Sequence, residues 1–218
     1  MSLYYNKTRR STVRRRAGRA RYDRATVDAI LDEGLVGHIA FVDRDQPYAI
    51  PMLYARNRDE DVIYLHGSPL SRLIGGLAGG WPLCLTVTLL DGLVLARSAF
   101  HHSVNYRSAT VLGKGHAVRD RQEKLDALTT IVAHVVPGRP EDVRGPDDQE
   151  LAATEVIALE IEEATAKIRT GPPVDAPEDY ALPVWAGELP LSLVPGTPRQ
   201  DARSHETVPS YVERYSRA

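Results

Sequence analysis

The chain has a single cysteine, Cys84, among its 218 residues. It can therefore build no disulfide within itself and no thiolate metal cluster, which fits a reducing, cytoplasmic setting. No stretch approaches the roughly 18 consecutive apolar residues that a membrane helix needs, and Met1 to Asn6 lack the apolar core of a secretory leader. A soluble protein with no membrane contact is expected. A Gly-x-Ser-x-Gly elbow is missing, so an α/β-hydrolase reading has no support. None of the seven histidines stands four residues from another on a helix with a carboxylate nearby, and no metal site is expected. The alternation of strand and helix that a doubly wound parallel sheet demands is also missing.

What is present begins with charge. The net charge of -2 hides a basic amino-terminal arm over residues 1–22, where Lys7, Arg9, Arg10, Arg14, Arg15, Arg16, Arg19 and Arg21 crowd together. The remainder is acidic. No aromatic residues interleave the arginines to stack on bases, which argues against nucleic acid. The arm is expected to pair with the acidic body or with a second subunit.

Beyond the arm, Thr26 is placed to cap a helix carrying Val27, Ile30 and Leu31, with Gly34 as its stop. Strands are expected over 37–42, 48–56, 62–66, 83–88, 93–97 and 108–118, with turns at 43–46, 57–61 and Asp91-Gly92. Pro51 interrupts the second strand and is expected to break pairing or form a bulge there. A short helix is expected from Pro69 to Leu77, ended by the glycines of 75–80. Leu125, Leu128, Ile131, Val132 and Val135 mark a helix over 121–136, Asp147 to Ala153 suggests a further helical turn, and 156–168 reads as one long strand. This pattern gives a mainly β, or α+β, antiparallel barrel with peripheral helices over 23–170, followed by a proline-rich tail over 171–218 that packs on the barrel or on a partner. Cys84 is expected in the core.

Ser68-Pro69-Leu70-Ser71-Arg72 has the form of a helix start, with Ser68 at the cap and Pro69 in the first helical position. Backbone N–H groups, a hydroxyl and a guanidinium would meet there, which suits a phosphate. The same segment is also an ordinary capped helix with an exposed arginine. His66 ends the preceding strand and is the histidine best placed for chemistry, or else a satisfied strand-end residue.

Three segments occur in a telling order: Ile50-Pro51-Met52-Leu53-Tyr54, Tyr64 to Arg72, and His101-His102-Ser103-Val104-Asn105-Tyr106-Arg107-Ser108 running into a strand. In this respect the chain resembles the pyridoxamine 5'-phosphate oxidase-like family of FMN-binding split barrels, and within it the nitroimidazole-resistance branch, over roughly Asp23 to Trp185. The resemblance implies an FMN-dependent oxidoreductase acting on a small molecule stacked on the flavin, in a homodimer with flavin at the interface. It implies cofactor contacts from Pro51, Met52, Tyr54, Leu65, His66, Ser71, Arg72, Asn105, Ser108 and Trp185, with His66 also the catalytic residue. The same barrel serves deazaflavin (F420) and haem binders and non-enzymatic flavin sensors, so these stand as alternatives. The tail lacks the oxidase's substrate-phosphate arginine pattern, which argues against vitamin B6 oxidation.

Overall fold

A computed structural model describes residues 2–216. These form ten strands: β1 (Ala20–Arg21), β2 (Val36–Asp43), β3 (Gln46–Leu53), β4 (Ala55–Asn57), β5 (Val62–Gly67), β6 (Pro82–Leu95), β7 (Ser103–Ala117), β8 (Glu155–Glu160), β9 (Glu163–Arg169) and β10 (Gly187–Pro190). The α-helices are α1 (Arg24–Glu33), α2 (Arg72–Ala78), α3 (Arg121–Val135), α4 (Asp148–Ala153) and α5 (Ser210–Glu213). Strand pairing is antiparallel throughout, in the order β3-β2-β6-β7-β8-β5-β4, with β9 also on β7, β1 on β9 and β10 on β6. No helix among the described residues is long and apolar enough to cross a membrane.

The architecture turns on β7. Along one edge it pairs with β6, and its other partners change from β9 at Tyr106–Leu112 to β8 at Gly115–Ala117. That change of partner explains why the expected single strand over 156–168 is two, parted at Ile161-Glu162. Glu162 turns its N–H to the carbonyls of Leu112 and Glu160 at the break. A matching split occurs at Tyr54, where the chain leaves β3, paired with β2, to become β4, paired with β5.

Other differences from the sequence reading have local causes. Asp23, not Thr26, caps α1: its carboxylate accepts the N–H of Thr26 at 2.9 Å, the third position of the helix, where a cap side chain reaches. Asp91-Gly92 is a bulge inside the continuous β6, not a turn. A side chain at Gly92 would begin 3.0 Å from the Leu189 carbonyl, so this glycine serves the close approach of β10. Pro51 causes neither break nor bulge, for β3 pairs with β2 in unbroken register from Gln46 to Leu53 and with no second strand among the described residues. An edge strand tolerates a residue without an N–H.

The main core lies beneath α1 and α2, where Ile30 and Leu31 meet Ile39, Leu85, Val111 and Leu159. A second cluster seats Ala127 and Ile131 of α3 on Tyr64, Val156 and Ala158. The arm is bound to this body: Tyr5 is buried in the main core and its hydroxyl donates to Asp28 at 2.6 Å, while Arg10 pairs with Glu162 and Glu163.

Alternation leaves the opposite face of β2 and β3 uncovered. It carries Val36, His38, Ala40 and Val42 on one strand and Pro47, Ala49, Pro51 and Leu53 on the other, without a lysine, arginine or carboxylate. Cys84 continues this face on β6 and is half-buried, a correction to its expected place in the core.

Candidate functional site

The turn after β5 is built by Ser68. Its hydroxyl accepts the N–H of Leu70 at 3.2 Å and its carbonyl accepts that of Ser71 at 2.9 Å. Ser68 and Pro69 therefore precede the helix, and α2 has Ser71 as its cap and Arg72 as its first residue, three residues later than the sequence suggests. The Arg72 guanidinium lies over the Tyr48 ring, 4.8 Å from its centroid, and 3.6 Å from Asp43, with its side chain 56% exposed. Stacking aims the guanidinium, and the long, exposed pairing with Asp43 offsets little of its charge.

His66 stands beside this turn, half-buried and opposite Val156. Its Nδ1 is buried and has no hydrogen-bond partner. Burial lowers the imidazole pKa below its ordinary value, so the ring is neutral at pH 7. Buried polar atoms are nearly always paired, and this nitrogen is an exception, shared with Arg24 Nε and Arg97 Nε among the described residues.

The other expected contacts are placed differently. Tyr54 and Leu65 are wholly buried, and the Tyr54 hydroxyl donates to the Leu31 carbonyl at 2.6 Å, so neither side chain is presented to a ligand. Met52 packs half-buried against the core. Pro51 faces outward on the uncharged side of β3. Trp185 is 70% exposed and lies against Gly187 instead of filling a groove of its own subunit.

Asn105 and Ser108 sit toward the far end of β7. The Asn105 amide donates to Glu188 at 2.5 Å, and its oxygen accepts from Arg169, while Ser108 donates to the Lys167 carbonyl at 3.2 Å. Asn105 is thus a buried link between β7, β9 and β10, not a free contact. From Asn105 to Ala117, which lies near His66 through β8, β7 extends about 40 Å at roughly 3.3 Å per residue. The expected contacts form two groups, His66 to Arg72 and Asn105 to Ser108, with Pro51 between them at three strand steps from Thr110.

Beside the second group lies a cavity of about 630 Å³ between the arm and the start of β7, lined by Arg15, Arg16, Arg19, Lys167 and Arg169, with Phe100, His101 and His102. His101, Asp175 and Asp179 also bring possible ligand atoms within 4.8 Å of one another. Asp175 already accepts the backbone N–H and guanidinium of Arg97 at 2.9 and 3.0 Å, and the arginines around it repel a cation. The sequence reading missed this cavity. Its signal was the arginine run, of which Arg10 reaches the acidic body and Arg15, Arg16 and Arg19 make no ion pair among the described residues.

Residues 23–168 match the profile of the family described as pyridoxamine 5'-phosphate oxidase. The chain belongs to the pyridoxamine 5'-phosphate oxidase-like family. It is similar to the solved structure of the flavocytochrome Anf3 from Azotobacter vinelandii, with 38% identity over 94% of this chain and 96% of the other and a TM-score of 0.87. It is also similar to the FAD and heme binding protein from Mycobacterium smegmatis, with 34% identity, 89% and 96% coverage and a TM-score of 0.85. A putative 5-nitroimidazole antibiotic resistance protein from Bacteroides thetaiotaomicron shares the fold, at 24% identity, 68% and 86% coverage and a TM-score of 0.58. No curated protein sequence matches. The antiparallel sheet described above is thus the split-barrel fold of this family.

For a pyridoxamine 5'-phosphate oxidase-like protein, the segment matched by the family is instructive in what it omits. It includes His66, Ser71, Arg72, Asn105 and Ser108, and excludes Arg15, Arg16, Arg19 and Arg169. The expected contacts other than Trp185 are family ground, whereas most of the cationic cavity is built from flanking chain.

Proposed function

We propose that the protein is a flavin-binding oxidoreductase that works as a homodimer, with the flavin between subunits and haem as a second group. The observation that carries this reading is the likeness, over about nine tenths of the chain, to two proteins whose names state a flavocytochrome and FAD with heme. FMN is the cofactor the family resemblance implies. The name of the second neighbour favours the dinucleotide form, FAD.

The residues fit such groups. A bound flavin supplies one- and two-electron transfer and a haem one-electron transfer. Arg72, stacked on Tyr48 and only loosely paired with Asp43, and the Ser71 hydroxyl would hold a phosphate. The neutral, unpartnered imidazole of His66 would bind iron or accept a proton beside the flavin, since both need an uncharged ring nitrogen. A second copy of the chain, docked on the uncharged face of β2 and β3, would cover a planar cofactor and supply the Asn105 end of its own β7. One patch then serves two equivalent sites, with a small-molecule electron acceptor entering at the exposed flavin edge.

The absorption spectrum of the purified protein, with chromatography of the extracted cofactors, tests the reading. Flavin and haem bands, bleached or shifted by NADH or NADPH and restored by an acceptor, are expected. Colourless protein that takes up neither group on incubation overturns it.

A further inference from the structure

We propose that the cavity between the amino-terminal arm and the start of β7 binds the diphosphate and base of a nucleotide. Its volume of about 630 Å³ lies within the range of small-ligand sites. Arg15, Arg16, Arg19, Lys167 and Arg169 converge on it, and none forms an ion pair among the described residues. Asp175 is the one carboxylate in the lining, and it is engaged by Arg97.

Arg169 is the decisive residue. It is 7% exposed and donates only to neutral acceptors: the Asn105 side chain and the carbonyls of Gly171 and Pro172, the last two at 2.6 and 3.0 Å. Glu188 makes no hydrogen bond to it, bonding the Asn105 amide instead, although its charge favours the guanidinium from there. Burial, followed by repulsion from Arg19, holds its pKa below the ordinary guanidinium value. A buried guanidinium without a carboxylate in hydrogen-bond contact, set beside further cations, is suited to receive an anion.

The arm is fixed for this task. Ala20 pairs with Lys167 in the sheet, and Arg16 takes a left-handed backbone, φ 58°, at the turn that places Arg16 and Arg19 on the cavity. For a non-glycine residue such a conformation is uncommon and tends to mark functional positions. At the mouth stands Phe100, 89% exposed, its ring edge-on to His101 at 5.2 Å. A large flat ring in solvent beside clustered cations matches a ligand with a planar base and two phosphates.

Two sources share that chemistry: the adenylate half of a bound FAD, which rests on the flavin reading above, and a nucleotide bound separately, which does not. Labelled ADP is equilibrated with the isolated full-length protein and with an Arg16→Gly/Arg19→Gln double variant, and retained and released flavin are measured alongside. Glycine keeps the left-handed turn while removing the guanidinium. ADP uptake with release of FAD, or at least tenfold poorer retention of FAD but not FMN by the variant, assigns the cavity to the dinucleotide. ADP uptake that displaces no flavin and falls at least tenfold in the variant assigns it to a separate nucleotide. Equal ADP uptake by both proteins overturns the site, as does no uptake by either with unchanged flavin retention. Protein that never holds flavin still reports on ADP, so the two readings fail separately.

Discussion

The Tyr54 hydroxyl donates a 2.6 Å hydrogen bond to the Leu31 carbonyl in the last turn of α1, from a side chain wholly enclosed by the core. This bond locks the helix to the point where β3 becomes β4. Tyr54→Phe leaves a buried carbonyl short of a donor, which costs about 1–3 kcal/mol. The urea midpoint should fall with an unchanged slope, while flavin affinity stays the same. A loss of flavin binding at full stability would return Tyr54 to the cofactor site.

His66 carries the pH prediction. Because burial depresses its folded pKa below the ordinary 6.5, the unfolded chain takes up a proton that the folded chain refuses. Stability is therefore complete above about pH 6.5 and declines as pH falls toward the folded pKa. His66→Ala should fold, flatten that decline and alter the cofactor spectrum. An unaltered spectrum would remove His66 from the reacting groups.

Arg72 is exposed and held by stacking, so its loss should scarcely touch stability. If it grips phosphate, Arg72→Ala weakens FMN by about 1.5–3 kcal/mol, the worth of a hydrogen bond to a charged group, and leaves riboflavin unaffected. Titrating both ligands is the check. Parallel losses would place Arg72 elsewhere.

The face of β2 and β3 predicts the assembly. Sedimentation at low micromolar concentration should give a dimer, and Ala49→Arg, on the exposed side of β3, should give a folded monomer that holds flavin poorly. A flavin-loaded wild-type monomer would sink the interface.

The sequence made some elements plain for physical reasons. Periodicity and caps lie within one helix, so α3 was legible to within a residue, and the helical turn expected over Asp147 to Ala153 is α4, held by a capping box between Asp147 and Glu150. The segments of the family resemblance likewise carry their own order. What escaped depended on distant neighbours. Gly92 looked like a turn because the β10 carbonyl it admits is nearly a hundred residues away. The break at Ile161-Glu162 has no glycine or proline and follows from β7 changing partners. Arg169 was unremarked because its isolation from carboxylates, and its company of arm arginines, exist only after folding.

The outward row of β3 has a consequence for how far association can proceed. Pro47 and Pro51 stand on one open edge of the sheet, and each lacks the N–H that an added strand would need. Another chain can lie flat against the uncharged face, but it cannot extend the ladder rung by rung. Growth by strand addition, the route to fibres, is thereby obstructed at this edge. A flat contact related by a two-fold axis closes on itself after two copies.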